Sequence, residues 1–376
     1  MKSNQFSGFE YFGYSLLNKF PNPLKKLGLN MYTKLMFNKI KKLKTPINMV
    51  FYITNRCNSR CKHCFYWKNL NKNKDELTID QIKKIANSLK HPLELLAITG
   101  GEPFLRKDIV EICNIFYKLN KTKRIAIDTN GLLTEVIYAK IKRLLVENPK
   151  KRLSVLVSLD GLEKTHNKVR NLKNGFERVI FTIRKLKILE NKYKNLTIFV
   201  LTTIQKENIK EISELTKYVK EGLKVVHKLN ILRNSKCYYN LDKEILNDFE
   251  PSSSNIPSLS ELERVYLDIK KNITTISSKI ESLKIRYSID MLKNNKMCVR
   301  CLAGKTDGVI FSNGDVSICE PTKPFSNLKE TNYDFFKLWN SKEANNMRPR
   351  LEKCFCLQPC NLLNAMKYDS KTLMRL

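Results

Sequence analysis

Short apolar segments alternate with amphipathic segments through the first 235 residues of the chain. Six apolar runs predict strands at 49–53, 93–98, 125–128, 153–159, 197–203 and 224–229. Five intervening segments have helical spacing, at 78–89, 107–119, 134–146, 176–187 and 209–220. Nearly continuous apolar strands separated by helices are typical of a parallel sheet that helices cover. Six such units without a clear seventh or eighth predict an α/β fold, an open partial (β/α)6 barrel.

The rest of the chain differs in composition from this repeating region. Prolines at Pro21 and Pro23 interrupt the helical pattern of the N-terminus, and the polar stretch 249–258 has the composition of a linker. A helix is expected from Ser260 to about Lys271, and Asn313-Gly314 between two β-like runs predicts a hairpin. We therefore divide the chain into a helical extension, a barrel core, a linker with helical segment and a cysteine-rich tail, at 1–46, 47–235, 236–296 and 297–376.

Three cysteines follow the first predicted strand directly. Cys57, Cys61 and Cys64 have the spacing C-x3-C-x2-C, which lets three sulfurs approach one centre. A zinc site or a closed iron–sulfur cluster would need a fourth protein ligand, whereas three ligands leave one iron of a cubane cluster open. His63 lies between two of the cysteines and is poorly placed to join them on one metal. Cys113, inside a helical segment, is expected to be a buried apolar residue.

The segment from Thr54 to Cys64, followed by Gly100-Gly101-Glu102-Pro103, resembles the radical S-adenosylmethionine (SAM) enzymes. The resemblance implies a partial barrel of the radical SAM type. It also implies a 4Fe–4S cluster on the three cysteines, whose unique iron chelates the amino and carboxylate groups of SAM. Reductive cleavage of SAM then yields methionine and a 5′-deoxyadenosyl radical.

The same resemblance implies a set of SAM contacts at the ends of the strands. Gly100, Gly101 and Glu102 would receive the amino group of SAM, and Arg170 would bind its carboxylate in a planar fork. His63 would stack against the adenine. Ser158 and Asp160, at the end of the fourth strand, would lie near the ribose or the substrate. Thr129 and Asn130 close the third strand, where polar side chains would face the pocket. The alternatives are a simple tight turn at Gly100-Gly101, a capping or turn role for Asp160 and a surface position for His166.

The cysteine-rich tail resembles the SPASM and shorter twitch extensions of radical SAM enzymes. That resemblance implies one auxiliary 4Fe–4S cluster with the preferred ligands Cys301, Cys319, Cys356 and Cys360. Cys354 or Cys298 could replace one of these four, because the spacing at the end of the tail departs from the usual C-x2-C. A structural tail that binds zinc is the alternative.

Charge and cysteine content bound the function further. Lys and Arg number 69 against 36 Asp and Glu, a formal net charge of +33. The lysines are scattered along the chain, which fits solvated helix faces or the composition of the source genome as well as nucleic-acid binding. Nucleic acid is therefore not favoured as a partner. The lysines within 25–44 alternate with apolar residues, for which packing on the barrel is favoured over contact with an anionic membrane.

Eleven cysteines without a secretory signal indicate a reducing, cytoplasmic compartment, and no apolar run is long enough to span a bilayer. The favoured function is radical modification of a peptide or protein, with ferredoxin or flavodoxin as electron donor. The alternatives are modification of RNA or a nucleotide, and a non-catalytic iron–sulfur electron carrier. Cys237, after the sixth predicted strand, is a candidate hydrogen-atom donor or a buried residue.

Overall fold

The computed structural model describes residues 21–72, 75–234, 238–239, 244–247, 251, 255–271, 273–351 and 354–376. The first part of the predicted N-terminal extension, Cys237 and half of the linker-like stretch 249–258 lie outside these residues.

Six parallel strands form the core of the fold. They are β1 Asn48–Thr54, β2 Leu95–Gly100, β3 Arg124–Thr129, β4 Arg152–Ser158, β5 Leu196–Ile204 and β6 Val226–Ile231. They pair in chain order from β1 to β6, each with its neighbour. β6 lies at one edge of the sheet, so the sheet does not close into a complete barrel. The predicted open partial barrel is confirmed.

Helices connect the strands and cover the outer face of the sheet. Helix α1 Asn22–Lys41 precedes β1. The connecting helices are α2 Ile79–Ser88, α3 Ile109–Lys118, α4 Thr134–Glu147, α5 Glu163–Arg170, α6 Gly175–Lys192 and α7 Ile212–Lys217. α2 begins with a capping box between Thr78 and Gln81, which satisfies two backbone donors at its first turn. The sequence did not predict α5, because this short segment is almost entirely polar.

Alternating positions along each strand face opposite sides of the sheet. Ile125, Ile127, Val155 and Val157 are fully buried and belong to the main apolar core with the helices. The residues between them face the barrel interior and are partly accessible, as Asp128 is on β3. Polar side chains of the barrel interior therefore come from the inner positions of the strands.

The C-terminal segment is joined to the barrel by strand pairing. β8 Asp307–Ile310 pairs in parallel with β1, and the hairpin at Asn313-Gly314 leads into β9 Asp315–Ser317. With β10 Ser326–Asn327 the sheet has the order β10-β9-β8-β1-β2-β3-β4-β5-β6. The predicted hairpin is present, and its strands extend the barrel sheet rather than standing apart from it. Side chains of this segment belong to the main apolar core.

The remaining elements surround this sheet. They are β7 Tyr238–Tyr239, α8 Leu259–Lys271, α9 Ile276–Asn294, α10 Phe335–Trp339, α11 Lys342–Met347, β11 Phe355–Cys356, α12 Pro359–Met366 and α13 Ser370–Arg375. β7 and β11 pair with each other in a separate antiparallel ribbon. In the part of the chain that the structure describes, no helix combines the length and the apolar character needed to cross a bilayer.

The shared core predicts that the barrel and the C-terminal segment unfold together. The chain has two tryptophans, Trp67 near the cysteine loop and Trp339 in the C-terminal segment. In the variant Trp67→Phe, the fluorescence of the remaining Trp339 reports on the C-terminal segment. In Trp339→Phe, the remaining Trp67 reports on the region of the cysteine loop. We expect the fluorescence midpoint in urea to match the circular dichroism midpoint in both variants. Two separate midpoints in either variant would show that the segments fold independently.

Candidate active site

The three cysteines of the first motif lie together in the loop that follows β1. Burial raises the pKa of Cys57 to about 11 and that of Cys64 to about 12, and the charge of Cys61 acts in the same direction on both. Ser59 Oγ lies 3.2 Å from Cys61 Sγ. The structure therefore brings the predicted triad together in a partly buried loop at the carboxyl end of the sheet.

Two glycines fix the backbone of this loop against the end of β2. Gly101 N donates to Thr54 O at 2.8 Å, and Glu102 N donates to Arg56 O at 2.8 Å. A Cβ atom at Gly100 or Gly101 would lie 2.1 Å from one of these two carbonyl oxygens, and Gly100 has a φ of +133°. No other residue type fits there without moving the backbone. The Gly-Gly turn thus holds the cysteine loop, which a simple tight turn would not explain.

Glu102 joins the turn after β2 to the turn after β3. Its side chain is 1% exposed, and Oε1 accepts hydrogen bonds from Phe104 N at 3.1 Å and Thr129 Oγ1 at 2.9 Å. Oε2 accepts from Asn130 N at 2.7 Å. Burial raises the pKa of Glu102 to about 7, although these donors oppose the shift. Asn130 in turn donates to Asn58, inside the cysteine loop, at 2.7 Å.

Asp160 and Arg170 form a buried ion pair beside the triad. Arg170 Nε lies 2.6 Å from Asp160 Oδ2, and Thr203 N donates to Oδ1 at 2.8 Å. Burial alone would raise the pKa of Asp160, but the Arg170 guanidinium holds it at about 2. Arg170 Nη1 lies 3.7 Å from Cys61 Sγ, and Ser59 Oγ donates to Arg170 O at 3.3 Å. The guanidinium therefore places positive charge next to the cysteines.

Two histidines contact Asp160. His63 Nε2 lies 3.5 Å from Asp160 Oδ2, and burial lowers the pKa of His63 to about 4, so the ring is neutral at pH 7. His166 is fully buried, with Nδ1 accepting from Asp160 N at 3.1 Å. The alternative of a surface position for His166 is wrong, because α5 turns this ring inward. Ser158 ends β4 on the inner face of the sheet.

The residues of this site fit a cluster with an open iron. The triad supplies three thiols, Arg170 offers a counter-charge, and His63 Nδ1 is a buried atom without a hydrogen-bond partner in the described structure. Within the described ranges, no three His, Cys, Asp or Glu side chains converge closely enough to bind one metal ion. Thiolates of a cubane cluster bind different irons and do not need to converge on one point.

A second group of cysteines lies in the C-terminal segment. Burial raises the pKa of Cys319 well above its usual value, and the charges of Cys356, Cys301 and Cys354 raise it further. Burial and the nearby Cys301 raise the pKa of Cys354 to about 12. The structure thus brings Cys354 into a group with three of the predicted auxiliary ligands.

Cys360, the fourth predicted ligand, has other electrostatic neighbours. Burial raises its pKa to about 12, and the charged residues that act on it most are Glu320, Asp128 and Arg233. Cys298, named as a substitute ligand, is exposed and lies near Tyr287 O at 3.7 Å.

A polar network that the sequence did not predict connects the two cysteine regions. Glu320, next to Cys319, accepts hydrogen bonds from Tyr52 on β1 and from Arg233 after β6, the latter at 2.6 Å. Gln358 donates to Glu320 Oε2 at 2.6 Å and accepts from Arg233. The Arg233 guanidinium stacks 4.2 Å from the ring centre of Phe65, the neighbour of Cys64. These partners are far apart in sequence, so no local motif could have indicated them.

Two further charged groups face the barrel interior. Burial raises the pKa of Asp128 on β3 to about 7, and it lowers that of Lys228 on β6 to about 8. Lys228 Nζ lies 4.1 Å from the ring centre of Phe199. Buried charges inside an open barrel are candidates for substrate contacts.

The sequence model of the Radical SAM superfamily matches residues 51–219, which include the triad, the Gly-Gly-Glu turn and Arg170. The chain contains a radical SAM domain. The cofactors expected from the sequence, a 4Fe–4S cluster and SAM, are those of radical SAM proteins.

Curated relatives of this chain differ in their named activities. An AdoMet-dependent heme synthase of Methanosarcina barkeri is 32% identical over 47% of this chain and 48% of its own length. A probable GTP 3′,8-cyclase of Methanocaldococcus jannaschii is 26% identical over 66% of this chain and 78% of its own. The subtilosin biosynthesis protein AlbA of Bacillus subtilis is 25% identical over 56% and 49%.

The chain spans about half the length of the heme synthase and AlbA relatives. Among solved structures, SuiB of Streptococcus suis bound to its precursor peptide SuiA has a TM-score of 0.57 at 17% identity. That match covers 92% of this chain and 76% of SuiB. The likeness extends through the C-terminal segment and concerns the fold.

The buried ion pair leads to a prediction about stability. Arg170→Ala would leave Asp160 as an unpaired buried charge, so we expect the free energy of unfolding to fall by about 3–5 kcal/mol. The control Arg143→Ala removes an exposed ion pair with Glu147 on α4 and should change stability by less than about 0.5 kcal/mol. Urea denaturation of both variants checks this. Equal stability of the two variants would contradict the assigned pairing of Asp160.

Proposed function

We propose that this chain is a radical SAM enzyme that modifies a peptide or protein. The observation that carries the proposal is the set of three neighbouring thiols, Cys57, Cys61 and Cys64, with Arg170 and Glu102 beside them. When bound there, a 4Fe–4S cluster and SAM would supply the electron and the 5′-deoxyadenosyl radical.

The surrounding residues have distinct roles in this proposal. Arg170 offsets the negative charge that the thiolates bring to a buried site, and Asp160 holds its guanidinium in place. Arg170 uses its Nε to bind Asp160, so its Nη1 can still donate a hydrogen bond to the carboxylate of SAM. Glu102 keeps the turns after β2 and β3 together, and the Gly100-Gly101 backbone is the candidate site for the SAM amino group. His63 is the candidate neighbour of the adenine, and Thr129, Asn130 and Ser158 border the candidate ribose and substrate region.

A peptide substrate is favoured by the combination of two relatives. AlbA takes part in the biosynthesis of a bacteriocin, and the SuiB structure holds a precursor peptide on a fold that matches 92% of this chain. An electron donor of the ferredoxin or flavodoxin type would reduce the cluster.

A nucleotide substrate is the second candidate. The GTP 3′,8-cyclase relative aligns with two thirds of this chain, and Lys228 in the barrel interior could meet a phosphate. Production of 5′-deoxyadenosine that depends on added GTP would favour this candidate over the peptide.

The proposed cluster site is tested by removing its ligands. We expect the triple variant Cys57→Ala, Cys61→Ala, Cys64→Ala to lose 5′-deoxyadenosine production completely and to lose about four irons per chain, because no other thiols lie in this loop. Iron analysis and chromatography of anaerobically reconstituted, reduced protein provide the measurement. Cys113→Ala, which removes a fully buried thiol of α3, is the matched control and should retain both properties.

Remaining SAM cleavage in the triple variant would refute the proposal. Loss of cleavage in the Cys113→Ala control as well would indicate a general folding defect, and circular dichroism of both proteins separates these outcomes.

The second cysteine group is proposed to hold an auxiliary 4Fe–4S cluster with Cys301, Cys319, Cys354 and Cys356 as ligands. In a background without the first triad, we expect Cys354→Ala to lose the remaining iron, whereas Cys360→Ala should keep about four irons per chain. Iron and zinc analysis with electron paramagnetic resonance distinguishes the outcomes. Iron loss in Cys360→Ala but not in Cys354→Ala would restore the assignment preferred from the sequence. Stoichiometric zinc would indicate a structural tail instead.

A further inference from the structure

Helix α1 has two apolar faces on opposite sides. One face is buried, with Leu29 at 1% and Ile40 at 6% exposure, and Ile40 packs with Leu302 and Tyr368 of the C-terminal region. The other face carries four large apolar side chains that are 55–59% exposed. This exposed stripe consists of Leu24, Leu27, Met31 and Leu35.

The spacing of the exposed stripe places its members in one line. Steps of three, four and four residues repeat the helical period, so the side chains follow each other along about 16 Å of the helix. Single exposed apolar residues are normal on a protein surface, but a continuous line of them marks a contact site. No other element of the described structure carries more than two exposed large apolar residues.

The charge around the exposed stripe is of one sign. Helix α1 contains five lysines and no acidic residue, and the chain from 21 to 74 has no Asp or Glu at all. Lys26 and Lys34 are exposed next to Leu27 and Leu35 in the sequence. A second copy packed on the same face would bring lysines against lysines, so self-association is disfavoured. The complementary surface is therefore anionic and apolar together.

We propose that the exposed stripe of α1 docks the protein on an anionic lipid bilayer. The leucines and the methionine would enter the boundary between headgroups and acyl chains, and the lysines would meet the lipid phosphates. Packing of this helix on the barrel was favoured from the sequence. Its buried face packs instead with Leu302 and Tyr368 of the C-terminal region, and the membrane contact uses the opposite face.

This docking leaves the candidate active site accessible. α1 leads into the amino end of β1, whereas the cysteine loop follows the carboxyl end of the same strand. None of the four stripe residues belongs to the site described above. Their replacement should therefore not affect SAM cleavage.

The experiment measures sedimentation of the full chain with vesicles. One vesicle preparation is phosphatidylcholine alone, and the other is an equal mixture of phosphatidylcholine and phosphatidylglycerol. The stripe variant carries Leu24→Ser, Leu27→Ser, Met31→Ser and Leu35→Ser. The matched control carries Leu119→Ser, Val146→Ser, Phe181→Ser and Ile188→Ser, which removes four exposed apolar side chains elsewhere.

We expect the wild-type protein and the control to sediment with the mixed vesicles and not with phosphatidylcholine alone. The stripe variant should bind the mixed vesicles at least about tenfold more weakly, because the lysines alone attract it only electrostatically. Equal binding of the stripe variant and the wild type would overturn the proposal. So would a wild-type protein that is dimeric by light scattering and a stripe variant that is monomeric, since a second copy would then cover the stripe.

Circular dichroism and iron content verify that the stripe variant is folded. If it does not fold, the pair Leu27→Ser, Met31→Ser is measured with the control pair Val146→Ser, Ile188→Ser. A weaker affinity of the first pair alone supports the proposal, and equal affinities refute it.

Discussion

The candidate active site depends on the close approach of two backbone segments. Gly100 and Gly101 pass so near the carbonyl oxygens of Thr54 and Arg56 that a Cβ atom would collide with them. This contact fixes the start of the cysteine loop relative to β2. The thiols lie in the short loop that follows Arg56. Near the far end of this loop, Lys62 N donates a hydrogen bond to Val169 O at 2.9 Å. These contacts at both ends of the loop fix the positions of the thiols.

Buried charge sets the chemistry of the loop. Arg170 lies between Asp160 and Cys61, so one guanidinium both neutralises a buried carboxylate and faces the thiols. Burying such groups is unfavourable unless each has a partner, which explains why Asp160 and Arg170 are paired with each other. Glu320, beside the second cysteine group, is likewise a buried charge with partners. Its hydrogen bonds from Tyr52 and Arg233 link this group to the region of the first three cysteines.

The regular part of the fold could be predicted from the sequence, because apolar runs and helical spacing are local signals. The predicted strands agree with β1 to β6 to within about two residues at each end, which is the usual uncertainty of element boundaries. α5 had no such signal, since every residue in it except Val169 is polar. The parallel pairing of β8 with β1 also escaped prediction, because it joins segments about 260 residues apart and no turn specifies it.

The two cysteine groups also differ in how well the sequence could predict them. The triad was evident because its three members lie within eight residues, whereas the second group combines cysteines from two distant segments. Spacing could not decide between Cys354 and Cys360, and the chain path around β11 directs them toward different neighbours. Residue types and spacing therefore indicated the chemistry, and the tertiary structure indicated which side chains meet.

The central claim is that the triad leaves one iron open to SAM. Electron paramagnetic resonance of the reduced protein with Cys301, Cys319, Cys354 and Cys356 replaced by Ser isolates the cluster of the triad. Adding SAM should change its spectrum, because the open iron gains new ligands. A cluster spectrum that is identical with and without SAM would contradict the account.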